Sequence, residues 1–217
     1  MIRGAIFDMD GLMFDTERIW ATLWEPALHS LGMEYKEGLA EAMRGTAGES
    51  GRRVLRQFYG ADCDAEAIHA ALHREADRAF AARPDKKPGL DELLAWLDAH
   101  HIPMAVASSS RMASILHHLN GWDLTHYFPV IVSGEQFVSS KPDPEIFLKA
   151  AQGLGTLPAE TLVLEDSYNG VRAGAAGGFV TVMVPDLMPP DDEMRRLYTA
   201  ECPDLHAVRA LLEAGTL

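Results

Sequence analysis

Two aspartates, Asp8 and Asp10, close a short apolar run that begins at Ile2, and Gly11 follows them at once. Side chains two apart on a strand point to one face, so the pair is expected to present two carboxylates together at the strand's carboxyl end. Gly11 permits the sharp exit that would leave them exposed. A carboxylate pair placed there can do chemistry, although Asp and Gly after a strand also make an ordinary turn.

Three later clusters weigh toward chemistry. Ala105-Val106-Ala107 delivers Ser108-Ser109-Ser110 at a strand-to-helix junction, where hydroxyls and free backbone N–H groups can hold phosphate oxygens. Taken alone, these serines read more readily as a helix cap. Lys141 stands between a strand exit and the proline-stiffened start Pro142-Asp143-Pro144, and Leu162-Val163-Leu164 runs directly into Glu165-Asp166-Ser167. If Asp8, Asp10, Glu165 and Asp166 share one cleft with Lys141, four carboxylates face a single ammonium, which is costly to desolvate without a cation. An oxygen-only ligand set that leaves room for a substrate phosphate suits Mg²⁺ better than Ca²⁺ or Zn²⁺.

The elements that must position these groups alternate after a first strand over Ile2 to Phe7. Residues 17 to 82 read almost entirely as helix, with apolar positions at helical spacing (Ile19, Leu23 and Ala27; Ile68, Leu72, Ala76 and Phe80). Pro26 predicts that the first of these helices begins late, kinks or breaks, and Asp64 predicts the start of another. The run Arg83-Pro84-Asp85-Lys86-Lys87-Pro88-Gly89 is a breaker and linker. Beyond it, short strands at Met104–Ala107, Pro129–Val132, Thr161–Leu164 and Val180–Val184 alternate with helices at Leu90–His100, Met112–Leu119, Pro144–Gly153, Asn169–Ala176 and Leu205–Leu212. This is the pattern of a parallel sheet covered on both faces. The expected fold is therefore α/β: a Rossmann-like parallel sheet core formed by 1–15 and 86–217, with an all-α helical domain, 16–85, inserted after the first strand.

Composition narrows the partners. The chain has 217 residues, 47% hydrophobic and 24% charged, as globular domains do, with a formal net charge of −13 that disfavours nucleic acid. No apolar run approaches the roughly 18 residues of a membrane span. Cys63 and Cys202 are too few and too isolated for a disulfide framework or a Cys-based zinc site, which fits a cytoplasmic location.

Taken in order, Asp8-Met9-Asp10-Gly11 with Asp15-Thr16, then Ser108, then Lys141-Pro142, then Glu165-Asp166 resemble the four motifs of the haloacid dehalogenase superfamily of aspartate-nucleophile phosphotransferases. The helical block resembles the cap of the subgroup that includes β-phosphoglucomutase and many small-metabolite phosphatases. The resemblance implies that an ionised Asp8 attacks phosphorus and that Asp10 carries the proton, with a pKa raised relative to that of Asp8. It implies that Ser108, Ser109 and Lys141 hold the phosphoryl group. Mg²⁺ would be bound by Asp8, the Asp10 backbone carbonyl and Asp166, with Glu165 assisting. Asp15 and Thr16 would serve the hinge, though Thr16 reads more simply as a helix N-cap.

Two departures separate the chain from the mutase. Trp20 stands where the mutase has a histidine, and a tryptophan cannot act as a base. Arg44-Gly45-Thr46-Ala47-Gly48 keeps a basic residue at the place of the mutase lysine but has Gly48 in place of an arginine. Arg44 could meet a second anionic group on the substrate, while Trp20 and Trp24 read first as core packing. The expected function is a Mg²⁺-dependent phosphatase acting as a monomer on a small phosphorylated metabolite, a sugar, polyol or nucleotide phosphate. A hexose phosphate mutase is the alternative. A catalytically silent binding protein on the same fold would be expected to lack Asp8, Asp10 or Lys141, and all three are present.

Overall fold

The computed structural model describes residues 1–44, 46 and 48–217, so Gly45 and Ala47 of the run compared above with the mutase lie outside the described residues. The chain divides into two compact units, Met1–Asp15 with Asp85–Leu217, and Thr16–Pro84. It enters through strand β1 (Gly4–Phe7) and then forms the second unit from helices α1 (Glu17–His29), α2 (Leu39–Met43), α3 (Gly48–Tyr59) and α4 (Ala65–Ala79).

The helical unit has its own core, in which Leu23, Trp24, Ala27 and Leu28 of α1 meet Leu39, Leu55, Ile68, Ala71 and Leu72. Trp24 is buried there, whereas Trp20 is half-buried, its ring centroid 5.3 Å from that of Phe80 and 6.1 Å from that of His73. Asp64 caps α4, its carboxylate accepting from the Ala67 N–H at 3.0 Å. Two expectations need correction. Helix α1 starts at Glu17 and runs unbroken through Pro26, because Pro26 lies near the helix end on an exposed face, where water can satisfy the carbonyl that has lost its partner. Thr16 occupies the N-cap position, but its backbone is helical and its buried hydroxyl makes no capping bond.

The other unit is a six-stranded sheet in the order β3-β2-β1-β4-β5-β6, every pair parallel, with β2 (Met104–Ser108), β3 (Val130–Ser133), β4 (Thr161–Glu165), β5 (Val180–Met183) and β6 (Ala200–Glu201). The α/β class read from the alternating pattern is the fold observed. Helices α5 (Leu90–Ala99), α6 (Met112–Gly121), α7 (Glu145–Leu154), α8 (Tyr168–Ala176), α9 (Met194–Leu197) and α10 (Leu205–Glu213) complete the unit. Ala5 and Phe7 of β1 face the leucines of α5 together with Ile115, Leu205 and Val208. Ile6 faces the opposite way, onto Phe147 and Ala150 of α7. Both faces are thus dry, which is why the strands read as unbroken apolar runs. Each large side chain fully buried in these layers contributes about 1.5–3 kcal/mol.

Helix α5 is preceded by Gly89 at its N-cap, whose φ is +87° and whose missing Cβ would lie 2.3 Å from the His206 backbone N. Gly89→Ala therefore combines left-handed strain with a backbone clash. It is expected to cost about 3 kcal/mol, read as a lower urea midpoint with an unchanged slope.

Candidate active site

Strand β1 lies between β2 and β4, where the strand order reverses, and in open α/β sheets ligands bind at the carboxyl ends around such a point. Asp8 is the first residue past β1. Its N–H donates to the Leu164 carbonyl at 3.0 Å, which sets it beside Glu165, the last residue of β4. Lys141 arrives from the loop before α7, and its peptide bond to Pro142 is cis. The Lys141 Nζ donates to Asp8 Oδ1 at 2.5 Å, to Glu165 Oε1 at 2.6 Å and to the Ala107 carbonyl at 3.2 Å, and it sits 4.7 Å from the centre of the Phe147 ring. An ammonium has three donors, and here each has an acceptor.

Glu165 is fully buried, and its second oxygen accepts from both the Ser167 N–H at 3.0 Å and the Ser167 hydroxyl at 2.9 Å. Ser167 is in turn the N-cap of α8, where its Oγ accepts from the Gly170 N–H at 3.1 Å. The carboxylate is therefore held between an ammonium and the positive end of a helix. Asp166, also buried, brings a carboxylate oxygen to the same place: Asp8, Glu165 and Asp166 each offer one within 4.8 Å of the others.

The carboxylate of Asp10 goes elsewhere. It accepts from the Ser110 hydroxyl at 2.7 Å and from the Ser108 hydroxyl at 3.3 Å, while the Ser110 N–H donates to Ser108 Oγ at 3.0 Å. The reason given by the sequence for pairing the two aspartates was a shared strand face, and that reason fails. β1 ends at Phe7, and the chain then coils, with Gly11 at φ +81° and the Met13 N–H donating to the Met9 carbonyl at 2.9 Å. Loop geometry, not pleat, aims the two acids.

Ser108 is buried, whereas Ser109 is exposed on the bend that follows β2. Behind it stands Gly134, where a Cβ would come within 3.0 Å of the Ser109 Cα and carbonyl oxygen. Ser133 adds a hydrogen bond from its hydroxyl to the Ser110 carbonyl at 2.7 Å, and Glu135 accepts from the Met112 N–H at 2.9 Å. The loop of Ser108 to Met112 is thus fixed from the end of β3. The chain segments that leave and re-enter the sheet unit are also paired, the Asp15 N–H donating to the Asp85 carbonyl and the Lys87 N–H to the Met13 carbonyl, both at 2.9 Å. Lys87 is anchored there by Asp186 at 2.7 Å.

Three of these groups escaped the sequence reading. Ser110 was seen only as part of a serine run, although it makes the shorter of the two bonds to Asp10. The Ala107 carbonyl carries no sequence signal. Ser167 did carry one, since a serine between an apolar strand and a helical run marks an N-cap.

Burial pushes the Asp8 carboxyl up to about 8; Lys141 pulls it down, and Glu165 and Asp10 add to the rise. For Lys141, burial works against the charge, but Asp8 and Glu165 outweigh it and hold the ammonium protonated well above its usual range. The resemblance requires an ionised Asp8, and burial works against that ionisation. Three carboxylates gathered around one ammonium call for further positive charge in a place where water is scarce. A divalent cation on oxygen ligands supplies that charge, so the donor set fits Mg²⁺. The arrangement brings together a buried carboxylate, an ammonium with three acceptors and a hydrogen-bonded serine loop, groups of the kind that phosphoryl transfer uses.

The family described as "Haloacid dehalogenase-like hydrolase" matches residues 5–184. The phosphorylated carbohydrates phosphatase of Thermotoga maritima is 31% identical over 216 residues, covering 100% of this chain and 93% of that protein. The fructose-1-phosphate phosphatase of Escherichia coli is 32% identical over 185 residues, covering 83% and 95%. In fold, β-phosphoglucomutase from Clostridium difficile superposes with a TM-score of 0.81 at 22% identity, covering 98% of this chain and 96% of that one.

Proposed function

The chain belongs to the haloacid dehalogenase-like hydrolase family, and from that premise we propose that it is a Mg²⁺-dependent phosphatase that hydrolyses the phosphate ester of a small sugar or polyol through an aspartyl-phosphate on Asp8. It is a phosphoric monoester hydrolase, as its phosphatase relatives are. The finer reading is carried by one observation: the buried Lys141 ammonium bridges Asp8 and Glu165 beside Asp166, at the carboxyl end of the central strands. Two relatives named for phosphorylated carbohydrates support the substrate class.

In this mechanism an Asp8 oxygen attacks phosphorus in line with the ester oxygen. A bond from Asp8 to phosphorus forms as the bond to the alcohol breaks, and Asp10 gives the departing oxygen its proton. Water then attacks the same phosphorus and yields a proton to Asp10; orthophosphate leaves and the Asp8 carboxylate is regenerated. Ser108 and the backbone N–H groups of its loop receive phosphoryl oxygens, and Lys141 stabilises charge on Asp8 and on the transferred group. Mg²⁺, held by Asp8 and Asp166 with the Asp10 carbonyl, would neutralise phosphoryl charge. Glu165 acts from behind, since both of its oxygens already have donors. By the family resemblance the helical unit is the part that selects substrate, and Arg44 is our candidate for recognising a second anionic group. One chain carries every group named, so a monomer suffices, and the two free cysteines fit a cytoplasmic enzyme.

The test is release of orthophosphate from a chromogenic aryl phosphate and from a panel of phosphorylated metabolites, with Mg²⁺ and with EDTA. Metal-dependent release, fastest on sugar or polyol phosphates, is expected; no release from any of them would end the hydrolase reading. The mutase alternative is weakened by Trp20 and would require isomer exchange of β-glucose 1-phosphate, primed by a bisphosphate, to outrun orthophosphate release. Asp10→Asn keeps the serine contacts but removes the transferable proton. It should lower kcat by about 10²- to 10⁴-fold with little change in KM, measured by steady-state kinetics.

A further inference from the structure

Residue 170 lies in the first turn of α8, where a glycine is a weaker helix former than alanine by about 1 kcal/mol. It is not among the glycines with positive φ, so the backbone does not call for it. The reason is volume. A Cβ at Gly170 would lie 1.8 Å from the Cδ and Oε1 of Glu165 and 2.2 Å from its Oε2. The carboxylate of Glu165 fills the space in which any other residue would carry its first side-chain atom. On the same helix, Gly174 is a milder case, its Cβ meeting Thr181 Oγ1 at 2.5 Å as helix packs on strand.

The displaced group has nowhere equivalent to go. Glu165 is fully buried and holds Lys141 with one oxygen and Ser167 with the other, while the Gly170 N–H closes the circuit onto Ser167 Oγ. Lys141 in turn donates to Asp8 and to the Ala107 carbonyl from the same position in which it donates to Glu165. We propose that Gly170 is a positioning residue for the reaction. By vacating its Cβ volume it seats the Glu165 carboxylate, which aims the Lys141 ammonium at the nucleophilic oxygen of Asp8. The assignment rests on the reading of Asp8 as nucleophile, and Gly170 itself touches no reacting atom.

The test is a cycle of Gly170→Ala, Glu165→Asp and the double variant, with kcat and KM measured on an aryl phosphate in Mg²⁺ and thermal melts recorded alongside. Gly170→Ala is expected to lower kcat about 100-fold, leaving KM within about threefold, because the loss is in the transition state and not in binding. Aspartate is one methylene shorter and withdraws the carboxylate from the new Cβ, so the double variant should regain at least about tenfold over Gly170→Ala, a coupling that independent sites do not show. A kcat for Gly170→Ala within about threefold of wild type overturns the proposal, as does a double variant no faster than Gly170→Ala. If Gly170→Ala does not fold, the double variant must melt within a few degrees of Glu165→Asp; failure of both to fold also overturns it. Wild-type turnover in the same plates keeps the outcomes apart: inactive wild type defeats the phosphatase reading, while the melting cycle still reports on the slot.

Discussion

Asp8→Asn is expected to reduce kcat by about 10⁵-fold or more while leaving the fold in place, the scale of loss when a nucleophile is deleted from a site whose parts act together. Asparagine matches aspartate in shape, so its carbonyl can still accept from Lys141, which otherwise donates to Glu165 and to the Ala107 carbonyl. The variant lacks an anionic oxygen to attack phosphorus at that position, and Glu165 is already tied by both oxygens. Without metal, the variant should also melt no lower than wild type above pH 8, because burial makes ionised Asp8 unfavourable there. Steady-state kinetics and calorimetry check both statements, with mass spectrometry to exclude deamidation back to aspartate. Turnover above about one part in a thousand of wild type, with the asparagine intact, would refute Asp8 as the attacking group.

What the sequence made legible follows from how each feature is encoded. Five of the strands are short buried runs of Ala, Val, Ile and Leu between helical patterns, and a parallel sheet was readable from them because both faces are dry. The sixth, Ala200–Glu201, has two residues and no alternation to detect; it is defined by its pairing with Val182 and Met183. The four-residue helix Met194–Leu197 is too short for a period of 3.6 to show. The site was legible as a list of strand ends, since Asp8, Ser108 and Glu165 each stand at or just past the end of a strand. Which acid faces which partner was not legible. Asp10 meets serines 98 and 100 residues away, and Lys141 meets acids 133 and 24 residues away, pairings decided by loop conformation and not by local spacing. The raised Asp8 was likewise unreadable, since it depends on burial at a depth that side-chain identity does not state.

That burial gives the second large expectation, a stabilisation by Mg²⁺ that grows with pH. In the metal-free protein the Asp8 carboxyl is raised by burial to about 8 from an unfolded value near 3.8. A raised folded value means that the native state holds the proton more tightly than the unfolded chain. The stability so gained is complete below about pH 4 and is lost as pH climbs through about 8. A cation needs the carboxylate anion, so at pH 5.5 binding must expel a proton that the buried group retains, whereas above pH 8 the proton is already gone. The rise in melting temperature produced by Mg²⁺ should therefore be small near pH 5.5, increase steadily to about pH 8 and then level off. Titration calorimetry near pH 6.5, in buffers of different ionisation enthalpy, should register close to one proton released per ion bound. Asp8→Asn removes the titrating group, so its Mg²⁺ shift should be weak and flat across the same range. A wild-type shift independent of pH between 5.5 and 8, or equal shifts for the two proteins, would mean that Asp8 does not meet the cation.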